Sequence, residues 1–285
     1  MSSAVERCSD LSRAADEPLA ATSSTAEQLL LVEVPGPWGR DVTTPGTLPA
    51  PADEAVQDWL ARTPRSRLLF IRRPGRAARN SVVFVVRAEE RTAEVRRIEV
   101  VRHEDLADAD LDGAGEVGPW SLVLVCGHGS RDGCCALRGT AVYRALAGNV
   151  PEGELWLSSH QGGHRFAANV LVLPAGLQLG RLDPENAVSV TTHALAGRIE
   201  LDHYRGRMCY DAPVQAAEHA VRRALGLHEV RDLRLVDVDG SLARFRGRDG
   251  SEHVATVEEL AGPVVPASCG AEPEAQRALT ARLVS

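Results

Sequence analysis

Two short apolar segments each run directly into a glycine-rich loop that carries cysteine or histidine. WSLVLV, from Trp120 to Val125, leads into CGHGSRDGCC, and ELWLSS leads into HQGGH. The segment between them, ALRGTAVYRALAG, has the pattern of a helix. Because loops at the ends of strands in one sheet lie close in space, we expect the two loops to be neighbours. The candidate site residues that they carry are Cys126, Cys135, His160 and His164.

The segments that follow extend this pattern into an α/β unit. NVLVLP and LQLGRL are predicted to form a β-hairpin across Ala175 and Gly176, and PENAVSVTTHALAG is predicted to be the closing helix. Residues 118–212 are therefore predicted to form a β-α-β-β-β-α domain on a mixed sheet.

The two flanking regions are predicted to fold as separate units. Residues 1–117 contain a strand, a helix from about Asp53 to Arg62 and three further strands, which indicates a second α/β domain. This element order is similar to that of residues 118–212, so residues 1–117 are a candidate degenerate thioredoxin-like copy of them, although α/β domains share such orders easily. About the first 25 residues are expected to be a mobile or loosely docked lead-in. Residues 213–285 are predicted to form a helix and a small antiparallel three-stranded meander, with no strong pattern in the tail from Pro266.

Two thiols and two imidazoles make a complete set of four ligands for a metal centre. His160 and His164 are four residues apart, so one helical turn would place both rings on one face, and the glycines between them permit a tight turn. Such a set is typical of structural zinc, and it can equally hold a [2Fe–2S] cluster, so spacing alone does not separate the two. Cys134 is an alternative ligand to Cys135, although the eight-residue spacing from Cys126 favours Cys135.

These motifs resemble those of the sucrase/ferredoxin-like family, whose members are thioredoxin-like ferredoxins. The similar segments are CGHGSRDGCC, WLSSHQGGHRFAAN, LPAGLQLGRL and the RGR at Arg205 to Arg207, with EPLAATSSTAEQLLLVEVPGPWGRD and SCGAEP towards the two ends. The resemblance implies a thioredoxin-like fold for residues 118–212, in agreement with the predicted element order. It also implies a [2Fe–2S] cluster held by Cys126, Cys135, His160 and His164.

A cluster of this kind carries single electrons, and its ligands set how easily it accepts one. We expect the two histidines to hold one iron and the two thiolates the other, which raises the reduction potential because neutral imidazoles replace anionic thiolates. The second nitrogen of each imidazole can take up a proton with the electron. The potential is then expected to fall as the pH rises through neutrality.

Four neighbouring side chains are candidates for tuning or orienting the centre: Arg165, His128, Arg131 and Cys134. A guanidinium from Arg165 or Arg131 would favour the reduced, more negative state, although each can equally be an ordinary ion pair or a solvated loop charge. His128 is either a hydrogen-bond partner of the ligands or a structural residue of the loop. Cys134, if it is not a ligand, is expected to be a small apolar residue at the base of the helix.

The remaining cysteines are too sparse for a disulfide framework. Cys8, Cys209 and Cys269 are expected to be unpaired thiols, inert where buried. The polar start MSSAVERCSD has no apolar core of a signal peptide, so a cytoplasmic location is expected, where thiols stay reduced.

Composition removes several functions. All 32 Lys and Arg residues are Arg. The chain therefore lacks the lysine that a P-loop, Schiff-base catalysis or a protein kinase requires, and these functions are excluded. A net charge of −7 argues against binding to nucleic acid. No apolar run in the sequence is long enough for a membrane span. A hydrolase is disfavoured, because the chain has no G-x-S-x-G motif and its sequence singles out no pair of carboxylates. A thiol oxidoreductase is disfavoured as well, because the chain has no C-x-x-C motif. The expected partner is a redox protein that the sequence does not identify.

Overall fold

A ten-stranded mixed sheet forms the centre of the molecule in a computed structural model, which describes residues 6–75 and 80–284. Its strands are β1 (Gln28–Glu33), β2 (Ser66–Arg72), β3 (Ser81–Ala88), β4 (Ala93–Val100), β5 (Glu116–Gly118), β6 (Leu122–Cys126), β7 (Leu155–Ser158), β8 (Val170–Leu173), β9 (Leu177–Leu179) and β10 (Tyr204–Arg207). They lie in the order β10-β9-β8-β6-β7-β2-β1-β3-β4-β5. The pairs β1–β2 and β6–β7 are parallel, and the other neighbours are antiparallel.

Helices flank this sheet. They are α1 (Cys8–Ala14), α2 (Ala50–Arg62), α3 (Gly133–Leu146), α4 (Pro184–Leu195) and α5 (Ala212–Leu225), and short 3-10 turns cover His103–Asp108, His164–Phe166 and Val230–Asp232. No helix among the described residues is both long and apolar enough to cross a membrane.

The predicted fold class is confirmed. The elements β6-α3-β7-β8-β9-α4 follow the predicted β-α-β-β-β-α order on a mixed sheet, and β8 and β9 form the predicted hairpin. The four-residue strand β10 was not predicted, because its sequence YRGR has no alternation of apolar and polar residues.

The first half of the sheet repeats the order of the second. Elements β1-α2-β2-β3-β4 correspond to β6-α3-β7-β8-β9, and in each set the third strand pairs antiparallel with the first. The halves join where β2 pairs antiparallel with β7 and Ile71 lies opposite Ser158. One continuous sheet therefore runs through strands of both predicted α/β domains, and the ancient duplication stays a prediction.

Apolar side chains fill both faces of the central strands. Every residue of β6 is buried, because the α3 side of the sheet takes Val123 and Val125 while the opposite face takes Leu122 and Leu124. That opposite face forms a core shared by both halves of the sheet. Continuous apolar strands of this kind are typical of parallel pairs that are covered on both faces.

From residue 6 onward the N-terminal lead-in is ordered, contrary to the expectation of a mobile or loosely docked segment. Helix α1 packs against the His164–Phe166 turn, and its two serines, Ser9 and Ser12, are buried. Ser12 donates to the carboxylate of Glu17 at 2.7 Å, and Arg13 donates to the Arg181 carbonyl at 2.9 Å. Both serines of α1 are thus hydrogen-bonded inside the protein, although the Ser-, Ala- and Thr-rich composition indicated a loosely held segment. Residues 1–5 of the lead-in lie outside the described residues.

The C-terminal region has one strand more than expected. It forms a four-stranded antiparallel sheet from β11 (Leu233–Asp239), β12 (Leu242–Gly247), β13 (Glu252–Pro266) and β14 (Pro273–Leu283). The prediction that the tail from Pro266 lacks strong organisation is therefore wrong, since β14 pairs with β13. The only apolar alternation in β14 is Leu279, Ala281 and Leu283, which pack on the core beside α5, and so short a pattern is a weak signal.

Candidate metal centre

The end of β6 and the end of β7 place the two loops side by side. Cys126 is the last residue of β6 and pairs in parallel register with Ser158, the last residue of β7. The loop after β6 leads to α3, whose first turn carries Cys135, and the loop after β7 carries both histidines. The predicted proximity of the two loops is confirmed.

Four side chains converge at this edge of the sheet. The sulfurs of Cys126 and Cys135 and a ring nitrogen of His160 lie within 4.8 Å of one another. The Nδ1 atom of His164 lies 3.9 Å from the Cys135 sulfur, and the two imidazole rings stack with centroids 4.1 Å apart. Both thiols are buried, as is His164, while His160 is partly exposed. The structure thus brings together the four predicted ligand side chains.

A glycine turn, rather than the helical turn that the spacing suggested, brings the two histidines together. Gly162 and Gly163 have φ of +95° and +67°, a left-handed backbone that favours glycine, and His164 then begins a 3-10 turn. A side chain at Gly163 would also meet the Arg205 guanidinium at 2.5 Å. The HQGGH sequence therefore needs its glycines for backbone conformation and for space.

Side chains from distant segments hold the backbone of this loop. Every carbonyl oxygen from His160 to Gly163 accepts a side-chain hydrogen bond. The donors are Arg67 to His160 (2.7 Å), Ser24 to Gln161 (2.6 Å), Arg205 to Gly162 (2.9 Å) and Asn169 to Gly163 (2.9 Å). These hydrogen bonds fix the backbone that carries both candidate ligand histidines, whether or not a metal is bound.

Arg205 is the main member of this clamp of hydrogen bonds on the loop carbonyls. It is 1% exposed, and its Nη1 also donates to the Asn169 side chain at 2.9 Å while Nε donates to the Thr22 hydroxyl at 3.0 Å. Burial lowers the pKa of Arg205 to about 9, so it still carries a positive charge at neutral pH. Only their places in family-like segments marked Arg205 and Ser24 in the sequence, and nothing marked Arg67.

His128 is a structural link between the two loops. Its Nδ1 accepts a hydrogen bond from the His160 backbone N–H at 3.1 Å, and its Nε2 donates to the Gly39 carbonyl at 2.7 Å. Trp38 packs edge-on against the ring at 5.7 Å. Of the two interpretations of His128, the contacts are those of a loop residue that positions His160 through its backbone.

The other three neighbours have different surroundings. Arg165 forms an ion pair with the buried Glu17 at 2.6 Å, which is the ordinary ion-pair interpretation. Arg131 is half-buried in the loop before α3, where its charge contributes to lowering the pKa of His164. Cys134 is buried, but it faces a second group of thiols rather than an apolar base of the helix.

The protonation states of Cys126 and His164 suit metal ligands, whereas Cys135 is held as a neutral thiol. The Cys135 thiol hydrogen-bonds to Cys126, which holds the pKa of Cys126 well below its usual range and raises that of Cys135. Burial, with His160 nearby, lowers the pKa of His164 to about 4, so its ring is neutral at pH 7. Metal ligands require thiolate and neutral imidazole, so Cys126 and His164 already have the ligand form, and Cys135 would lose its proton when a metal binds.

One nitrogen atom of the candidate ligands lacks a hydrogen-bond partner. The Nδ1 atom of His160 is buried and has no hydrogen-bond partner among the described residues. An unsatisfied buried polar atom costs about 1–3 kcal/mol, and a bound metal is one way to remove that cost. The residues present therefore fit a metal or an iron–sulfur cluster.

Two buried thiols and two neighbouring imidazoles at the strand ends of an α/β sheet define a protein with a Cys/His group that can hold a metal. The family model described as Sucrase/ferredoxin-like matches residues 19–206, more than half of the chain. The chain therefore belongs to the sucrase/ferredoxin-like family.

Several curated yeast proteins are similar to part of the chain. Altered inheritance of mitochondria protein 32 of Meyerozyma guilliermondii is 35% identical over 98 residues, which cover 30% of this chain and 34% of the relative. The protein of the same name from Saccharomyces cerevisiae is 33% identical over 96 residues, covering 29% and 31%. The chain thus matches only about a third of the length of these relatives. No solved structure matches it significantly.

Proposed function

We propose that the protein binds a [2Fe–2S] cluster through Cys126, Cys135, His160 and His164 and transfers single electrons. The observation that carries the proposal is the convergence of two buried thiols with a stacked imidazole pair, one nitrogen of which has no partner. Family membership supports it. When bound, the cluster supplies one-electron redox chemistry.

The chain's own residues prepare the site for such a group. The two thiols are proposed to hold one iron and the two histidines the other, while the carbonyl clamp keeps the imidazoles in place. The buried guanidinium of Arg205 and the half-buried one of Arg67 offset the negative charge of thiolates and cofactor. That a proton accompanies the electron stays a prediction from the sequence.

The exposed side of the centre indicates where electrons enter and leave. His160 is partly exposed, whereas both cysteines are buried. We expect a redox partner protein to approach the histidine side, because electron transfer favours the ligand nearest the surface. The identity of that partner and the cytoplasmic location stay predictions.

A single zinc ion is the second candidate for this site. Its supporting observation is the compactness of the ligand atoms, three of which lie within 4.8 Å of one another. A tetrahedral Cys₂His₂ zinc site would make the protein a structural or interaction protein. Hydrolysis of sucrose has no support in the residues around the site, and a sucrose-hydrolysis assay is expected to show no activity.

Metal and spectroscopic analysis separates the candidates. Protein purified without oxygen is expected to be coloured, to contain iron and acid-labile sulfide in equal amounts, and to give an EPR signal on one-electron reduction. Cys126→Ser should abolish these signals, and Cys209→Ser, a buried cysteine outside the site, should keep them. A colourless wild-type protein that holds zinc at the Cys126 site and lacks labile sulfide would overturn the proposal.

A further inference from the structure

A second group of potential ligands lies on the other side of the α3 N-terminus. Three cysteines and one aspartate place their sulfur and oxygen atoms within 4.8 Å of one another: Cys8, Asp132, Cys134 and Cys269. We propose that these four residues bind one zinc ion, at a structural site separate from the Cys126 centre.

The spacing of the thiols is that of ligands to a single ion. The Cys8 sulfur lies 3.6 Å from those of Cys134 and Cys269, which are 3.2 Å apart. A tetrahedral zinc ion with Zn–S bonds of about 2.3 Å spaces its sulfurs about 3.8 Å apart. Thiolates bound to different irons of a larger cluster lie farther apart than this, so one ion fits best.

Asp132 completes the set. Its two carboxylate oxygens lie 4.0 and 3.9 Å from the Cys8 sulfur, and the side chain is 5% exposed. The backbone N–H of Cys134 donates to one oxygen at 2.7 Å, and that of Cys269 donates to the other at 2.8 Å. Each oxygen keeps a free lone pair, so the carboxylate is already oriented as a ligand. Three soft thiolates with one carboxylate suit zinc.

The surroundings argue against two simpler explanations. A disulfide requires sulfurs about 2.05 Å apart, whereas the six cysteines of the chain are free and these three sulfurs are each more than 3 Å apart. Asp132 caps the N-terminus of α3 by accepting from the Cys134 N–H. Neither capping nor inert apolar packing explains why its second oxygen accepts from the Cys269 N–H beside the thiols, or why the Ser9 hydroxyl donates to the Cys134 sulfur at 3.3 Å. Arg138 in turn donates to Ser9 at 2.9 Å, a supporting contact one step outward.

The site joins three distant parts of the chain. Cys8 belongs to α1, Cys134 to the first turn of α3, and Cys269 to the loop between β13 and β14. All four positions are filled by protein side chains, which leaves no open position for substrate and marks a structural site. Cys269 is partly exposed, so it gives the ion a route of entry.

Metal content tests the proposal on the full-length protein. Wild type is expected to retain one zinc per chain at this site after dialysis, and Cys8→Ser/Cys269→Ser should lose it while the Cys126 centre keeps its metal. Cys209→Ser is the matched control and should keep both. If the Cys126 centre also held zinc, wild type would hold two ions. Cys126→Ser would then remove the ion of the Cys126 centre and leave the ion bound by Cys8, Asp132, Cys134 and Cys269.

Spectroscopy on wild type needs no variant to fold. X-ray absorption at the zinc edge is expected to show three sulfur neighbours and one oxygen for this ion, and cobalt substitution should give the spectrum of a tetrahedral thiolate site. The proposal is overturned if wild type incubated with zinc holds none beyond the Cys126 centre. It is equally overturned if the double variant keeps as much zinc as Cys209→Ser, or if mass spectrometry finds two of these cysteines in a disulfide.

Discussion

Cys134 and Cys135 are adjacent in the first turn of α3, yet their sulfurs belong to two different groups of ligands. The Cys135 sulfur lies 3.9 Å from Nδ1 of His164, and the Cys134 sulfur lies 3.2 Å from that of Cys269. Hydrogen bonds from Cys8 and Ser9 lower the pKa of Cys134 to about 5, whereas the bond to Cys126 raises that of Cys135. One helix N-terminus, whose positive end favours thiolates, therefore serves both groups.

The division of roles between these neighbours is directly testable. Cys135→Ser is expected to remove the metal of the Cys126 centre, because it deletes one of the four proposed ligands. Cys134→Ser should leave that metal in place and remove the zinc of the second site. Iron and zinc per folded chain give the answer. Retention of iron by Cys135→Ser would mean that Cys134 takes over as ligand.

Replacing an imidazole by a thiolate should change the redox properties of the proposed cluster. His164→Cys adds an anionic ligand in place of a neutral one, so the reduction potential is expected to fall. Potentiometric titration of wild type and variant, followed by visible absorption, measures the difference. A potential equal to or above that of wild type would contradict the ligand assignment of His164.

The sequence alone predicted the four side chains of the centre but not what holds them. Cys126 and His160 follow strands whose apolar runs are plain in the sequence, so their proximity follows from parallel pairing. Ser24 and Arg67 reach the loop only through the tertiary arrangement, and no local pattern marks a residue that donates to a distant carbonyl.

The second group of thiols was beyond sequence reasoning for the same reason. Cys8 and Cys269 are 261 positions apart, and each is an isolated cysteine in its own segment. Their sequence signal was weak, since only the SCGAEP segment looked family-like.

The burial of Arg205 and Arg207 in β10 likewise contradicts the usual exposure of arginine, so that strand could not be predicted from its composition.

The arginine clamp should be sensitive to a change that preserves charge. Arg205→Lys keeps the cation, but an ammonium cannot reproduce the planar set of bonds to Gly162, Asn169 and Thr22. Each buried acceptor left unpaired costs about 1–3 kcal/mol of folding free energy. We also expect faster loss of metal to a chelator, measured well below the unfolding temperature. Arg223→Lys, an exposed arginine, is the control, and equal chelation rates in both variants would argue against a positioning role.

A buried ion pair supports the region that joins α5 to the sheet. Glu218 and Arg222 are fully buried, with two nitrogens of Arg222 at 3.0 and 2.9 Å from one carboxylate oxygen, and Tyr204 donates to the other oxygen at 2.8 Å. Glu218→Gln leaves the guanidinium without its counter-charge, so a loss of about 3–5 kcal/mol in the free energy of unfolding is expected.

An exposed pair provides the control for this measurement. Glu259 pairs with Arg277, and both side chains are more than half exposed. Glu259→Gln should change stability by less than about 1 kcal/mol, as is usual for surface ion pairs. Denaturant titration of both variants measures the difference, and similar losses would contradict the argument from burial.

A methyl group added at Gly139 in α3 is expected to disturb the Cys126 centre. A Cβ atom at Gly139 would lie 2.0 Å from the carbonyl oxygen of Cys126, so Gly139→Ala forces the helix away from the end of β6. Alanine is the better helix former, yet overpacking here is expected to cost about 1–3 kcal/mol of stability and to lower the metal content of the Cys126 centre. Gly133→Ala in the same helix is the matched control, because that glycine is exposed and its Cβ would meet only the Arg7 guanidinium at 3.7 Å. Thermal unfolding and metal analysis of the two variants decide the matter: if Gly139→Ala matched Gly133→Ala in both, close contact between α3 and Cys126 would not be what holds the first ligand in place.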